Sequence, residues 1–584
     1  MYLGMMAAVF VAPLASQNTP LDAFHGNIAA IHAHKRAAYL SYYLHTPTLA
    51  RVGPDGLREG YDSFAAGVGT SWPDTLVATH FRIVPVTPDV AYGVYRYRVV
   101  DSSGSARGVS ERVLVRTPDG WKVAVTTAFP TPHAAPPPMA IVGATLVDGT
   151  GAAAVRNAVI VMREGRIACV GPRATCPVPA DADTVGAAGR WIIPGLIDTH
   201  VHFSQTGWVD GRPDALDLRD RHPYEGVEAD LHARPERFFR SYLCSGVTSV
   251  FDVGGYPWTL ELQERTARST TAPRVRAAGS LLSTIDFWLN LPDQRQFIYM
   301  ADEATVRQAV RAHKTWGAAA IKVWYIMPPQ PPDTARVSAL VRAAGDEARK
   351  VGLPLIVHAT GLWEAKDALR AGARVLVHSV WSAPVDDEFL ALARRAGAIY
   401  VPTLTVRNGY DQVAARRFVP DRLALACVDP ATRAKAFATD TVALAQRPTE
   451  SLRQRLGRIA RSLGLERSRR RDQGAANLKR VFDAGIPVAL GTDAGNPLTL
   501  HGASVFKELE AMQASGLAPR DVLVAATANA ARALGLDSTG TVTPGAVADL
   551  VVLDADPLAD IRNVRQIALV VRRGEVYTRH ELEY

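Results

Sequence analysis

An α/β protein is predicted by three features of the sequence: a closed (β/α)8 TIM barrel with smaller sheet units attached. Apolar strand-like runs alternate with helix-like runs many times between Trp191 and Leu536, a span that suits eight β-α units. Strand-rich segments flank that span on both sides, and an α+β segment precedes them. The 584 residues leave room for all of these. With 48% apolar and 21% charged residues the composition is that of a folded protein, which excludes wholesale disorder and a polytopic membrane protein. The net charge of +8, from 65 basic and 57 acidic residues, is too dilute to argue for nucleic acid. Only nine of the 65 basic residues are lysines.

Taken in order, Met1 to Ala15 carries no charge and ends in small residues, as a secretory apolar region does. Its length falls short of a bilayer span. Residues 1–16 are therefore expected to be a signal peptide of an exported protein, periplasmic or secreted, with the mature chain starting near Gln17. An uncleaved leader would leave the protein in the cytoplasm. Residues 17–130 read as one α+β unit: helical periodicity over 21–46, then strands around His80–Val84, Ala91–Val100, Glu111–Arg116 and Trp121–Val125. The last two flank Thr117-Pro118-Asp119-Gly120, a good hairpin signal. This helix-then-meander pattern resembles the NTF2-like (SnoaL-like) cone fold. A pocket of its own, dimerisation through that unit, giving a homo-oligomer, and a plain scaffold role all stay open.

Residues 131–138, rich in proline and alanine, read as a linker. The segments 139–194 and 537–584 are expected to assemble one composite β-sandwich from both sides of the barrel, which occupies 195–536. Cys169 and Cys176 sit across a Gly-Pro turn and could close a hairpin disulfide in an oxidising compartment; two reduced thiols are the alternative. Cys244 and Cys427 stand alone, so the cysteines form no metal pattern. Arg453 to Arg471 holds eight arginines, read as a solvated helix face or a surface for an anionic partner.

The chemistry concentrates at strand ends. Leu196-Ile-Asp-Thr-His200-Val-His202 closes an apolar strand with two imidazoles on one face. Ala320-Ile-Lys322-Val places a lysine inside an apolar run, where an unpaired ammonium is costly. A neutral amine there can react with carbon dioxide, and the carbamate is an anionic oxygen ligand. Leu355-Ile-Val-His358 and Val375-Leu-Val-His378 end in histidine, and Val488-Ala-Leu-Gly-Thr-Asp493 ends in aspartate. Singly, each is as readily a hydrogen-bonded core histidine or a capping aspartate. As an ordered set at successive strand ends they point to a metal centre. Tyr325 could face that centre or merely cover it, and His501 could touch substrate or brace a loop.

Pro194-Gly195-Leu-Ile-Asp-Thr-His200-Val-His202, Gly246-Val-Thr-Ser-Val, Ile321-Lys322-Val, Val357-His358-Ala, His378-Ser and Gly491-Thr-Asp493 resemble the amidohydrolase superfamily. Within it they are similar to the imidazolonepropionase-related and Xaa-Pro or Xaa-Arg dipeptidase branch, over roughly residues 139–584. The resemblance implies two divalent ions, zinc by preference, or one if Lys322 is not carboxylated. It places His200, His202 and Asp493 on the more buried ion, His358 and His378 on the more exposed one, and carboxylated Lys322 between them. Imidazolonepropionases lack that lysine. The implied reaction is hydrolysis of an amide C–N bond in a small molecule, a dipeptide or N-acyl amino acid, by a metal-bridging hydroxide with Asp493 as general base and acid. Two other readings remain: a phosphotriesterase or lactonase on the same site, and a binding protein working through the NTF2-like unit beside an inactive barrel.

Overall fold

The computed structural model describes residues 19–53, 56–68, 72, 75–101, 104–130, 137–286, 289–327, 333–441 and 465–584. The expected leader, linker residues 131–136 and the arginine-rich stretch up to residue 464 lie outside the described residues. Two compact units emerge, Met1–Ala135 and Pro136–Tyr584.

In the first unit the helix Pro20–His32 starts at Thr19, whose hydroxyl accepts from Asp22 N while the Asp22 carboxylate accepts from Thr19 N. The helical periodicity expected through residue 46 breaks at His34, which takes a left-handed φ of 52°, before Arg36–Leu40 resumes the helix. The strands are β1 (Ala50–Gly53), β2 (Gly56–Glu59), β3 (Thr75–Thr87), β4 (Val90–Asp101), β5 (Gly104–Thr117), β6 (Gly120–Thr127) and β7 (Phe129–Pro130). Their order is β2-β1-β6-β5-β4-β3, with β7 against β5. Thr117 pairs with Gly120 across the expected Pro-Asp turn. Ala23, Ala30 and Leu40 from the helices pack on Leu114, Trp121 and Val123 of the sheet.

The second unit opens with β8 (Met139–Leu146), β9 (Val155–Arg163), β10 (Arg166–Pro172), β11 (Asp183–Gly186) and β12 (Trp191–Pro194). These join three strands from the end of the chain into one eight-stranded sheet, with Trp191–Pro194 antiparallel to Leu550–Leu553. A buried ion pair ties this sheet inward. Arg572 Nη1 lies 2.9 Å from both Asp549 oxygens, and its Nε donates to Ala272 O at 2.8 Å.

Between the two halves of that sheet run parallel strands: β13 (Leu196–Val201), β14 (Val247–Asp252) and β15 (Arg274–Ala277), then β16 (Leu281–Ser283), β17 (Phe297–Tyr299), β18 (Ile321–Trp324), β19 (Leu355–His358), β20 (Val375–Val377) and β21 (Ile399–Val401). Ala319 N donates to Ala277 O at 2.8 Å, linking the two groups. Ala489 N donates to Tyr400 O, and Thr199 N to Leu490 O, so residues 488–494 connect β21 back to β13. That last segment pairs through isolated bridges rather than as the regular strand its apolar run suggested. Strands covered on both faces explain the uninterrupted apolar runs in the sequence.

All four cysteines are paired. Cys169 and Cys176 have Cα atoms 5.7 Å apart. Cys244 and Cys427, read as solitary from their spacing, are bonded with Cα atoms 5.4 Å apart. A sequence separation of 183 hid a contact that only tertiary folding creates. Among the described residues no helix is long and apolar enough to cross a membrane.

Candidate metal centre

The six expected side chains leave the same end of the parallel strands. His200 lies in β13 and His202 just beyond it; Lys322 is in β18, His358 ends β19, and His378 follows β20. Asp493 sits in the segment that pairs with β13, its N donating to His200 O at 2.7 Å. Its Oδ1 is 3.3 Å from His200 Nε2 and 3.0 Å from His202 Nε2, and its Oδ2 is 3.9 Å from His378 Nδ1. The His378 ring stands 4.9 Å from that of His200 and 4.3 Å from that of His358. Ligand atoms of His200, His378 and Asp493 come within 4.8 Å of one another.

Burial and mutual repulsion lower the proton affinity of His200, His358, His378 and Lys322. Burial, then the Lys322 and His378 charges, hold His200 and His358 well below the usual histidine range. Burial takes His378 down to about 4 and Lys322 down to about 7, with Asp493 pulling each the other way. For Asp493, burial pushes up, but His200, His202 and His378 together hold the carboxyl well below its usual value.

The donor set fits a divalent cation. A carbonyl only accepts, so His202 Nδ1, 2.6 Å from Gly254 O, carries a proton. Nε2 is then the atom facing Asp493 Oδ1 at 3.0 Å, a separation that two electron-rich atoms keep only with a proton or cation between them. His200 Nδ1 is buried with no hydrogen-bond partner among the described residues. Nitrogen and carboxylate donors in this mixture suit zinc.

Two of the six stand in strained backbone. His378 has φ 73° and Asp493 φ 64°, left-handed positions costing about 1–3 kcal/mol each for a residue with a Cβ. Buried partners hold the set in place. Asp198 accepts from Thr492 N at 3.0 Å and His200 N at 3.2 Å, clamping the two ligand-bearing segments. Asp252 accepts from Phe203 N and Gly254 N, fixing the carbonyl that meets His202. Thr403 Oγ1 lies 2.7 Å from His378 Nδ1, and Glu508 accepts from the next two backbone N–H groups. Asn496 Nδ2 donates to Asp493 Oδ1 at 2.8 Å, while its Oδ1 accepts from Tyr410 and Arg212. Sequence reasoning missed all of these. Asp198 was findable, since it shares the two-residue period of His200 and His202; the others come from distant loops.

Tyr325 and His501, each open between a pocket role and a covering or bracing one, bond to groups outside the six ligands. Strand alternation turns Tyr325 away from Lys322, and its hydroxyl donates to Asp367 Oδ2 at 2.9 Å in the helix Leu362–Arg370. His501 donates from Nε2 to Gln205 O at 2.9 Å, accepts from Tyr242 at Nδ1 at 2.8 Å, and stacks on Phe203. Both ring nitrogens brace the loop, leaving none for substrate.

The profile of the amidohydrolase family matches residues 191–577. A 5-methylthioadenosine/S-adenosylhomocysteine deaminase of Symbiobacterium thermophilum is 25% identical over 437 residues, covering 72% of this chain and 85% of that protein. An imidazolonepropionase of Paracoccus denitrificans is 26% identical over 424 residues, 70% of this chain and 90% of that protein. A solved Xaa-Pro dipeptidase with bound methionine superposes with TM-score 0.55 at 21% identity, over 76% of this chain and 100% of that one. The chain belongs to the amidohydrolase family and is a metal-dependent hydrolase of carbon–nitrogen bonds.

Proposed function

We propose that this enzyme cleaves the amide bond of a dipeptide or an N-acyl amino acid, with Asp493 as general base and then general acid. The observation that carries the reading is the position of Asp493: its carboxylate lies between three imidazoles and is held ionised. His200, His202 and Asp493 would hold one divalent ion, and His358 and His378 a second, both zinc by their donors. Lys322, an amine brought near neutrality at pH 7, is suited to form the carbamate between them. When bound, the ions would polarise the amide carbonyl and lower the pKa of the attacking water. Asp493 takes the proton from that water and delivers it to the leaving amine. Asn496 holds one carboxylate oxygen in register for both transfers.

The sequence of parallel neighbours from β13 round to residues 488–494 supports a closed (β/α)8 barrel, and the joined end segments support a composite β-sandwich domain. A helix packed on an antiparallel meander supports the NTF2-like reading of the first unit. Pairing of all four cysteines supports export to an oxidising compartment. The fold likeness to a Xaa-Pro dipeptidase favours peptides among C–N substrates.

Metal analysis, followed by a screen of mixed dipeptides and N-acyl amino acids, tests the proposal. Two ions per chain and release of free amino acid are expected. Lys322→Ala should lose metal and activity together and recover partly with a short-chain carboxylic acid. A single ion with unmodified Lys322 in active enzyme removes the two-ion version; no hydrolysis across the screen removes the substrate class.

A further inference from the structure

The first unit contains a buried cation that meets no counter-charge among the described residues. Arg112, in β5, is only 3% exposed and lies against the helix Pro20–His32. Its Nη1 donates to Asn27 Oδ1 at 2.8 Å and its Nη2 to the Tyr95 hydroxyl at 2.8 Å. The guanidinium carbon stands 5.5 Å from the ring centre of Phe24 and 5.1 Å from that of Tyr95. Its electrostatic neighbours are the phenols of Tyr39, Tyr43 and Tyr95, and no carboxylate pairs with it among the described residues. Nε, also buried, meets no acceptor there.

An unpaired charge in such a place costs several kcal/mol, and an apolar residue of similar volume is often the more stable choice. Two neutral hydrogen bonds and two ring faces offset only part of that cost. Among the described residues the acceptors around Arg112 are neutral, an amide oxygen and a phenol, and none carries a negative charge. Aromatic surface is plentiful: Phe24 stacks on Phe81 at 3.5 Å between ring centres, and Tyr39 meets Tyr43 and Trp72 edge-on or tilted at 5.0 and 5.6 Å.

We propose that the unit Met1–Ala135 binds a small molecule with one carboxylate on an apolar or aromatic body, the carboxylate lying on Arg112. Two guanidinium nitrogens already have partners, so the free Nε–H and a neighbouring phenol form a two-point donor that matches a carboxylate rather than a phosphate. The body rests on the rings of Phe24, Phe81 and Tyr95. This site uses none of the residues of the metal centre.

Calorimetry on the full, metal-loaded chain tests it, with benzoate and hexanoate as probes, benzyl alcohol as neutral counterpart and inorganic phosphate. One carboxylate per chain should bind saturably, with both controls at least ten-fold weaker. Arg112→Met should abolish that event while keeping hydrolytic kcat/KM and a Tm equal to or above that of the wild type. If the Met variant does not fold, Arg112→Lys decides: it keeps the charge, loses the fork, and should weaken benzoate at least ten-fold. Absence of saturable carboxylate binding, or binding that survives both substitutions, overturns the proposal; Arg112 is then a structural cation solvated by trapped water.

Discussion

Asp493 combines a left-handed backbone, three imidazole neighbours and a carboxylate held by Asn496. Asp493→Asn keeps the size and removes the proton acceptor, so kcat should fall by roughly two to four orders of magnitude while the fold and most of the metal remain. Steady-state kinetics with metal analysis of the same sample checks this; wild-type turnover would leave Asp493 a ligand only. Glu508 makes a prediction of a different kind. Burial pushes its carboxyl from 4.5 to about 7, against three hydrogen bonds that pull it down. The folded protein therefore binds more protons than the unfolded one between those values, and stability falls as pH rises through them. Glu508→Gln lacks this term. Its loss of stability relative to wild type should shrink by about 2–3 kcal/mol between pH 4.5 and 8, read from urea midpoints. A constant gap would show that Glu508 titrates normally.

Strand ends deliver the ligands, and the sheet built from both ends of the chain supports the strands that carry them. Arg572 and Asp549 are its weak point, because both charges are buried and each satisfies the other. Asp549→Ala leaves a guanidinium uncompensated and should cost about 3–5 kcal/mol by chemical denaturation. Arg572→Met with Asp549→Leu should recover most of that loss. The sequence announced both strand segments through their apolar alternation, but a lone arginine and aspartate 23 residues apart carry no pairing signal. The same limit applies to Tyr325: its position beside Lys322 suggested the pocket, whereas the two-fold alternation of β18 directs it to Asp367.

The longest-range constraint is the Cys244–Cys427 bond, closing a loop of 183 residues. In the chain-entropy picture a loop of that size stabilises by up to about 5 kcal/mol, against less than about 3 for the short Cys169–Cys176 loop. Replacing Cys244 and Cys427 together by Ala should lower the unfolding free energy by about 2–5 kcal/mol and leave kcat at 25 °C nearly unchanged. A loss of activity at full occupancy of the folded state would mean that the bond shapes the site itself. Mass spectrometry of protein from its native host should find no free thiol; reduced cysteines would remove the reading of an oxidising compartment.

By itself, the sequence determined the β-α alternation, the meander of the first unit and the ordered set His200, His202, Lys322, His358, His378 and Asp493. Each is carried by local periodicity or by a residue at the end of an apolar run, so neighbours along the chain suffice to reveal it. Tertiary structure alone decided which side chains support that set: Asp252, Thr403, Glu508 and Asn496 reach it from loops far apart in the chain. It also decided the left-handed backbone at His378 and Asp493, the Cys244–Cys427 pairing and the placing of Arg112 among phenols, with no acid beside it among the described residues. These depend on distances between segments tens to hundreds of residues apart, and periodicity along one segment contains no measure of them.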